Sequence, residues 1–89
     1  MAQTNALKEF QQIPGVGPKM AQALLDLGYT ALAELQHADP NAMYHQLCIL
    51  RGVRLDPCVL YVFRCAVYFA SRPQHDPELL KWWNWKDKK

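Results

Sequence analysis

Nine residues early in the chain have the composition of a phosphate-binding turn. The run IPGVGPKMA occupies positions 13–21, and we call it the glycine turn. Gly15 and Gly17 can adopt left-handed or otherwise strained backbone angles and let an anion approach the main-chain N–H groups. Pro18 suits the first turn of a following helix, whose N-terminus offers unpaired N–H donors to a phosphate. The predicted phosphate-binding residues of this turn are Gly15, Val16, Gly17 and Lys19.

A simpler interpretation of the same run has no ligand. Gly15 could end a first helix in a left-handed cap, which would make the run an ordinary connector between two helices. Two glycines one residue apart between prolines are more than such a connector requires. We therefore favour phosphate binding.

The order of residue types in the glycine turn resembles the hairpin of the helix-hairpin-helix family. The matching order is apolar, Pro, Gly, apolar, Gly, then a small residue. The resemblance implies that the turn grips the DNA backbone without reading its sequence. The net charge is only +2, so binding has to come from local presentation of donors and charges and not from a global basic field.

Helix caps organise the rest of the chain. The dipeptide Asp-Pro occurs at 39–40, 56–57 and 76–77, and each pair is typical of an N-cap followed by a proline at the first helical position. A nearly continuous apolar stretch at 58–70 indicates a central helix. The sequence predicts an all-α fold of five to six helices in a single domain, residues 1–89. The predicted helices cover about 4–12, 18–27, 31–37 (capped by Thr30), 40–50, 57–71 and 77–84.

Periodicity predicts which side chains face the core. On the fourth helix we expect Met43, Tyr44, Leu47, Cys48 and Leu50 to face inward. The tryptophan segment, residues 76–85, is predicted to be a capping helix that covers the core with Leu79, Trp82 and Trp83 and leaves Trp85 partly exposed. Arg64 is expected to form an ion pair, for which an N-cap aspartate is the candidate partner; without such a pair its guanidinium would need to reach the surface.

A second turn at 50–57 repeats the first at a period of 37 residues. The two turns match at the apolar, Gly and Val positions, but Arg54 stands where the second glycine should be. This degenerate hairpin would bind phosphate through the side chains of Arg51 and Arg54. Two hairpins would give a doubled, SAM-like arrangement across a minor groove; three matched positions are equally compatible with coincidence.

Two longer segments extend the resemblance to nearly the whole chain. DPCVLYVFRCAVYFA begins at position 56 and DPELLKWWNWK at position 76. Both are similar to segments of a small bacterial family whose members are labelled pathogenicity-locus or mitomycin-resistance proteins. The resemblance implies a bacterial helical protein with a DNA-binding motif, and it brings no proven biochemical role.

Other chemistry has little support in the sequence. The three cysteines and His45 include no C-x-x-C pair, so we expect no metal site and no cofactor. Asp39 lies about as far beyond the turn as the catalytic aspartate of helix-hairpin-helix glycosylases, but N-capping explains it. We expect no catalytic residues, no enzymatic activity and no small-molecule substrate.

The predicted function is non-sequence-specific DNA binding, accessory to repair, recombination or stress response. The alternative is a protein-interaction module with a helical-bundle or Trp-rich surface that binds a protein partner or a second copy. An odd number of cysteines and the lack of a signal-type start predict a cytoplasmic location. The longest apolar stretch is too short, and too charged at Arg64, to span a membrane.

Overall fold

The fold is all-α, as the sequence predicts. The computed structural model describes the backbone of residues 2–86 and the side chains from residue 6 onward, so Met1 and residues 87–89 of the predicted domain lie outside it. The described range holds four α-helices, three 3₁₀ turns and no strand. The helices are α1 (Ala2–Phe10), α2 (Pro18–Asp26), α3 (Pro40–Arg51) and α4 (Cys58–Ser71), and the 3₁₀ turns are Leu32–Leu35, Pro77–Leu80 and Trp82–Trp85.

The three Asp-Pro pairs cap the elements that follow them. Each aspartate side chain accepts a hydrogen bond from the backbone N–H two residues on, at 2.9 to 3.0 Å. Such a bond satisfies one of the unpaired donors at a helix start. For α4 the helix begins one residue later than predicted, with Pro57 in the N-cap position. The donor residues are Asn41, Cys58 and Glu78.

The connector predicted at 31–37 is a single 3₁₀ turn. Ala31 occupies the N-cap position, so the prediction that Thr30 caps this element is wrong. The backbone N–H of Leu32 donates to the carboxylate of Glu9 on α1. The Glu34 carboxylate also accepts from the backbone N–H groups of Thr30 and Ala31, so the turn is held both by a local cap and by a tertiary contact with α1.

The tryptophan segment is two 3₁₀ turns and not one helix. The chain extends at Lys81 between them, with ψ 110°. Side-chain nitrogens of Asn84 and Trp85 donate to the carbonyls of Glu78 and Leu79, at 2.7 Å each. In a continuing helix these two carbonyls would accept hydrogen bonds from backbone N–H groups. Here the side chains of Asn84 and Trp85 donate to them instead.

The change of helix type also exposes Trp83. Residues three apart lie on the same side of a 3₁₀ turn, and Trp82 and Trp85 are both half-buried. Trp83 points outward and is 56% exposed, whereas Trp85 is half-buried. The prediction that Trp83 covers the core assumed α-helical spacing and is wrong, whereas Trp85 is partly exposed as predicted.

The core is organised around α4, which packs against α3 and all three 3₁₀ turns. α1 and α2 pack together as a second layer. Leu50, expected inside, is 49% exposed because it lies on the outer face of the last turn of α3. No helix between residues 2 and 86 has the length and apolar composition needed to cross a membrane. The fully buried large side chains are Phe10, Ile13, Leu24, Leu35, Phe63 and Cys65.

The arginine within α4 is held by a backbone carbonyl. Arg64 Nη1 donates to the carbonyl oxygen of Trp85 at 2.7 Å. No carboxylate in residues 6–86 lies within ion-pair distance of this guanidinium. The predicted ion pair with an N-cap aspartate is therefore not formed within the described residues. The tryptophan segment supplies the carbonyl of Trp85 as the acceptor in place of a carboxylate.

Trp82 packs directly on the backbone of the glycine turn. A Cβ atom added to Gly15 would lie 2.7 Å from Cδ1 of Trp82, and Gly15 has φ +88°. Both the backbone angle and the indole therefore require glycine at this position. The contact joins the tryptophan segment to a turn from the start of the chain.

We expect Gly15→Ala to lower the free energy of unfolding more than Gly28→Ala does. Gly28 also has a positive φ, +99°, but an added Cβ there would meet no atom within 4 Å. Gly28→Ala should cost roughly 1 kcal/mol, the penalty of a left-handed angle. Gly15→Ala adds the clash with Trp82, and urea denaturation followed by circular dichroism measures both.

A double-mutant cycle isolates the indole contact. Combining Gly15→Ala with Trp82→Leu should remove the excess cost of the alanine, because the ring it meets is gone. Additive losses in the double variant would contradict the claim that Trp82 restricts this position.

Candidate nucleic-acid interface

The first half of the glycine turn is a β-turn that the fold itself explains. Val16 N donates to the carbonyl of Ile13 at 3.0 Å, with Pro14 and Gly15 in the two central positions. Proline has a negative φ and Gly15 a positive one, which is the type II arrangement. Ile13 and Val16 are both buried. Val16, predicted to contact phosphate, thus anchors the turn with its side chain and uses its N–H within the turn.

Gly17 has no such internal explanation. Its φ of −91° and ψ of −171° are extended angles that any residue adopts, so Gly17 does not use the left-handed or strained angles that glycine allows. A Cβ added to Gly17 would meet no atom within 4 Å. Neither the backbone nor the packing requires glycine here. Its missing side chain leaves the N-terminus of α2 open to solvent.

The backbone donors at this N-terminus are free. Ala21 N donates to the carbonyl of Gly17 at 2.9 Å, and Pro18 has no N–H to offer. The N–H groups of Gly17, Lys19 and Met20 donate to no acceptor in the part of the chain that the structure describes. With the helix dipole behind them, these donors form an anion-binding arrangement to which the exposed Lys19 adds a charge.

Lys19 and Arg51 line one shallow groove between α2 and α3. The floor of this groove is apolar and includes Leu55 and Val59. Arg51 Nη2 lies 2.8 Å from Oδ2 of Asp26, the last residue of α2. The structure thus brings together two of the predicted site residues, from the two predicted hairpins.

The ion pair of Arg51 competes with any phosphate for the same guanidinium. Hydrogen bonds from Arg51 and then Gln22 lower the pKa of Asp26, so its carboxylate stays charged near neutral pH. Asp26 was missed by the sequence reasoning. No local signal pairs it with a residue on another helix.

Arg54 lies apart from the other predicted site residues. It lines a different groove, with Tyr44, Cys48 and Val53, on the far side of the second turn. Gly52 ends α3 in a left-handed conformation, φ +70°, as a helix C-cap. The second turn therefore presents Arg51 and Arg54 to two different surfaces.

Cys65 lies beneath the junction of the glycine turn and the tryptophan segment. Its thiol points at the carbonyls of Leu80 at 3.5 Å, Leu79 at 3.7 Å and Pro14 at 3.9 Å. Desolvation raises the pKa of this thiol to about 11. Within residues 2–86 no three His, Cys, Asp or Glu side chains lie close enough to share a metal ion.

Comparison with known proteins identifies the family. The family described as Pathogenicity locus matches residues 3–89, so the chain belongs to it. The mitomycin resistance protein McrB of Streptomyces lavendulae is 33% identical over 70 residues, which cover 79% of this chain and 63% of that protein. The match thus spans less than two thirds of the relative's length. No solved structure matches the chain significantly.

The Cys65 thiol should make the protein sensitive to alkaline pH. Its pKa is near 9 when unfolded and about 11 when folded, so the neutral thiol stabilises the fold below pH 9. This contribution is lost as the pH rises from about 9 to 11. Urea denaturation across this range should show a steeper fall in unfolding free energy for the parent than for Cys65→Ala. Parallel curves for the two proteins would contradict the assignment.

Proposed function

We propose that this pathogenicity-locus protein binds DNA without sequence preference through the N-terminus of α2. In this proposal the glycine turn is the hairpin of a helix-hairpin-helix motif, and the protein acts as an accessory in repair, recombination or stress response. The single observation that carries the proposal is Gly17, whose missing side chain serves neither the backbone conformation nor the packing.

The chemistry at the turn supports a phosphate as the ligand. Three adjacent backbone donors, the positive end of a helix dipole and one lysine act at short range on a single anionic group. Backbone N–H groups cannot distinguish one nucleotide sequence from another when they bind phosphate. Such a site gives affinity and orientation without specificity.

The second turn is proposed to add contacts from the degenerate hairpin. Arg51 lines the same groove as Lys19, which supports a path for the DNA backbone from α2 to the end of α3. Arg54 would meet a phosphate farther along, on the other side of the turn. A few phosphate contacts predict weak binding, roughly 10⁻⁴ to 10⁻⁶ M at physiological salt.

The relative named for mitomycin resistance supports a stress-related role. The match covers 63% of that protein, so a related role for this chain is only part of the proposal. An accessory that binds DNA weakly and non-specifically is consistent with a role in tolerating a toxic compound.

We expect Gly17→Val to abolish most duplex binding while the protein stays folded. The valine side chain would cover the open donors, and its Cβ would meet no atom within 4 Å. Gly17→Ala should give a smaller loss. Lys19→Ala should weaken all duplex sequences alike and lower the slope of log K against log salt by about 1. Gel-shift titration at low salt measures affinity, and circular dichroism checks the fold.

Lys8→Ala is the matched control, because it removes an exposed lysine from α1 outside the turn. It should bind close to the parent. If Gly17→Val and Lys19→Glu both bind duplex like the parent, the turn is only a connector and the proposal is wrong. An Arg54→Glu variant tests the second hairpin in the same assay.

Releasing Arg51 from its ion pair should strengthen binding. Asp26→Asn removes the carboxylate that competes with phosphate, so we expect a gain of a few-fold in affinity, comparable to one charge-assisted contact. The same change in an Arg51→Ala background should give almost no gain. Glu78→Gln is the matched control, because it removes an exposed carboxylate paired to Lys81 at 3.3 Å. Equal gains from both carboxylate variants would indicate only a general charge effect.

A protein-interaction role is the second candidate. Exposed apolar side chains at the end of α3 and on the second turn favour it, namely Ile49, Leu50 and Val53. Trp83 adds an exposed aromatic ring elsewhere on the surface. A folded protein that binds no form of DNA, and whose mass in solution or partner capture changes with Ile49→Asp, would favour this function.

A further inference from the structure

A groove on another face of the molecule combines arginines with aromatic rings. It lies between the start of α3 and the last turns of α4, and none of the glycine turn lines it. It has a volume of about 410 Å³ and is open on one side. We call it the arginine groove; its principal lining residues are Pro40, Arg64, Val67, Tyr68, Arg72 and Trp85.

Arg64 supplies a half-buried charge with no carboxylate partner among residues 6–86. Its acceptor is the carbonyl of Trp85, which takes one of the five N–H donors of the guanidinium. Asp39 also lines the groove, but its carboxylate accepts from Asn41 N and lies beyond ion-pair distance of Arg64. A partly desolvated cation facing a groove is stabilised by an anion that enters it.

Arg72 places a second guanidinium at the rim. Arg64 and Tyr68 are four residues apart on one face of α4, and Arg72 is the extended residue that follows the helix. The Arg72 guanidinium lies 5.7 Å from the centre of the Tyr68 ring. The rings of Tyr68 and Trp85 are 5.5 Å apart. Charge and aromatic surface therefore alternate along the groove.

We propose that the arginine groove binds one nucleotide of single-stranded DNA. Phosphate would bind to Arg64 and Arg72, whose planar guanidinium groups suit bidentate contacts to phosphate oxygens. The base would lie against Trp85 and the apolar wall formed by Pro40 and Val67. Proteins that hold single strands combine a basic groove with aromatic rings in this way. The proposal deepens the proposed function, since it adds a preference for unpaired nucleotides to duplex binding at the glycine turn.

Titration of the full chain with the oligonucleotide (dT)₁₀ tests the site directly. In ¹⁵N NMR spectra the signals of Asn41, Arg64, Ser71 and Trp85 should shift on addition of (dT)₁₀. Fluorescence anisotropy with labelled (dT)₁₀ should show roughly tenfold weaker binding for Arg72→Gln, and a salt slope lower by about 0.7. Lys8→Gln, which removes an exposed lysine outside this groove, should bind like the parent.

Parallel titrations with a duplex of the same length and with thymidine 5′-monophosphate distinguish the possible outcomes. Duplex affinity should fall with Lys19→Gln and stay unchanged with Arg72→Gln. If (dT)₁₀ shifts only residues 15–20 and Arg72→Gln binds it as tightly as the parent, the groove proposal is overturned and the proposed function stands. Binding of (dT)₁₀ in the groove with no duplex binding supports the groove and overturns the proposed duplex function. If the monophosphate binds as tightly as (dT)₁₀, the groove binds a free nucleotide and the proposal that it binds single-stranded DNA is overturned. If none of the probes binds, both proposals are overturned.

Discussion

The packing of the Trp82 indole on Gly15 is the constraint on which the rest of the structure depends. The ring can approach only because the turn has no side chain at that position, and the approach fixes where the tryptophan segment crosses α4. Once the segment lies there, its carbonyl at Trp85 meets Arg64 and its first turn covers the Cys65 thiol. One contact thus sets the surroundings of the charge and of the thiol on the central helix.

Elements that begin at a cap signal could be predicted from the sequence, and elements shaped by particular side-chain contacts could not. Asp39 and Pro40 specify the start of α3 within two residues, so that boundary was confirmed. The turn Leu32–Leu35 has Glu9 of α1 as an acceptor besides its own Glu34, and the tryptophan segment depends on bonds from the side chains of Asn84 and Trp85 to carbonyls six residues earlier. Those partners are chosen by packing, which a periodic pattern of apolar residues does not encode.

The same distinction applies to the candidate site. The type and order of residues in the glycine turn predicted a helix that begins at about Pro18 and allowed the left-handed angle found at Gly15. They could not show that Val16 would be buried, or that Arg51 would face Asp26 across the molecule.

The local distribution of charge matters more for DNA binding than the net charge of the chain. A net charge of +2 conceals two separate basic surfaces, one at Lys19 and Arg51 and one at Arg64 and Arg72.

The contact between Gly15 and Trp82 also constrains the order in which the chain can fold. Their positions in the sequence are far apart, so closing the contact carries the entropy cost of ordering a long loop. During synthesis the ribosome releases the glycine turn well before Trp82, at about 5 to 20 residues per second. For those seconds the turn and its two helices exist without the indole that later fixes them. The protein therefore acquires its proposed DNA-binding surface in final form only when the tryptophan segment has been made.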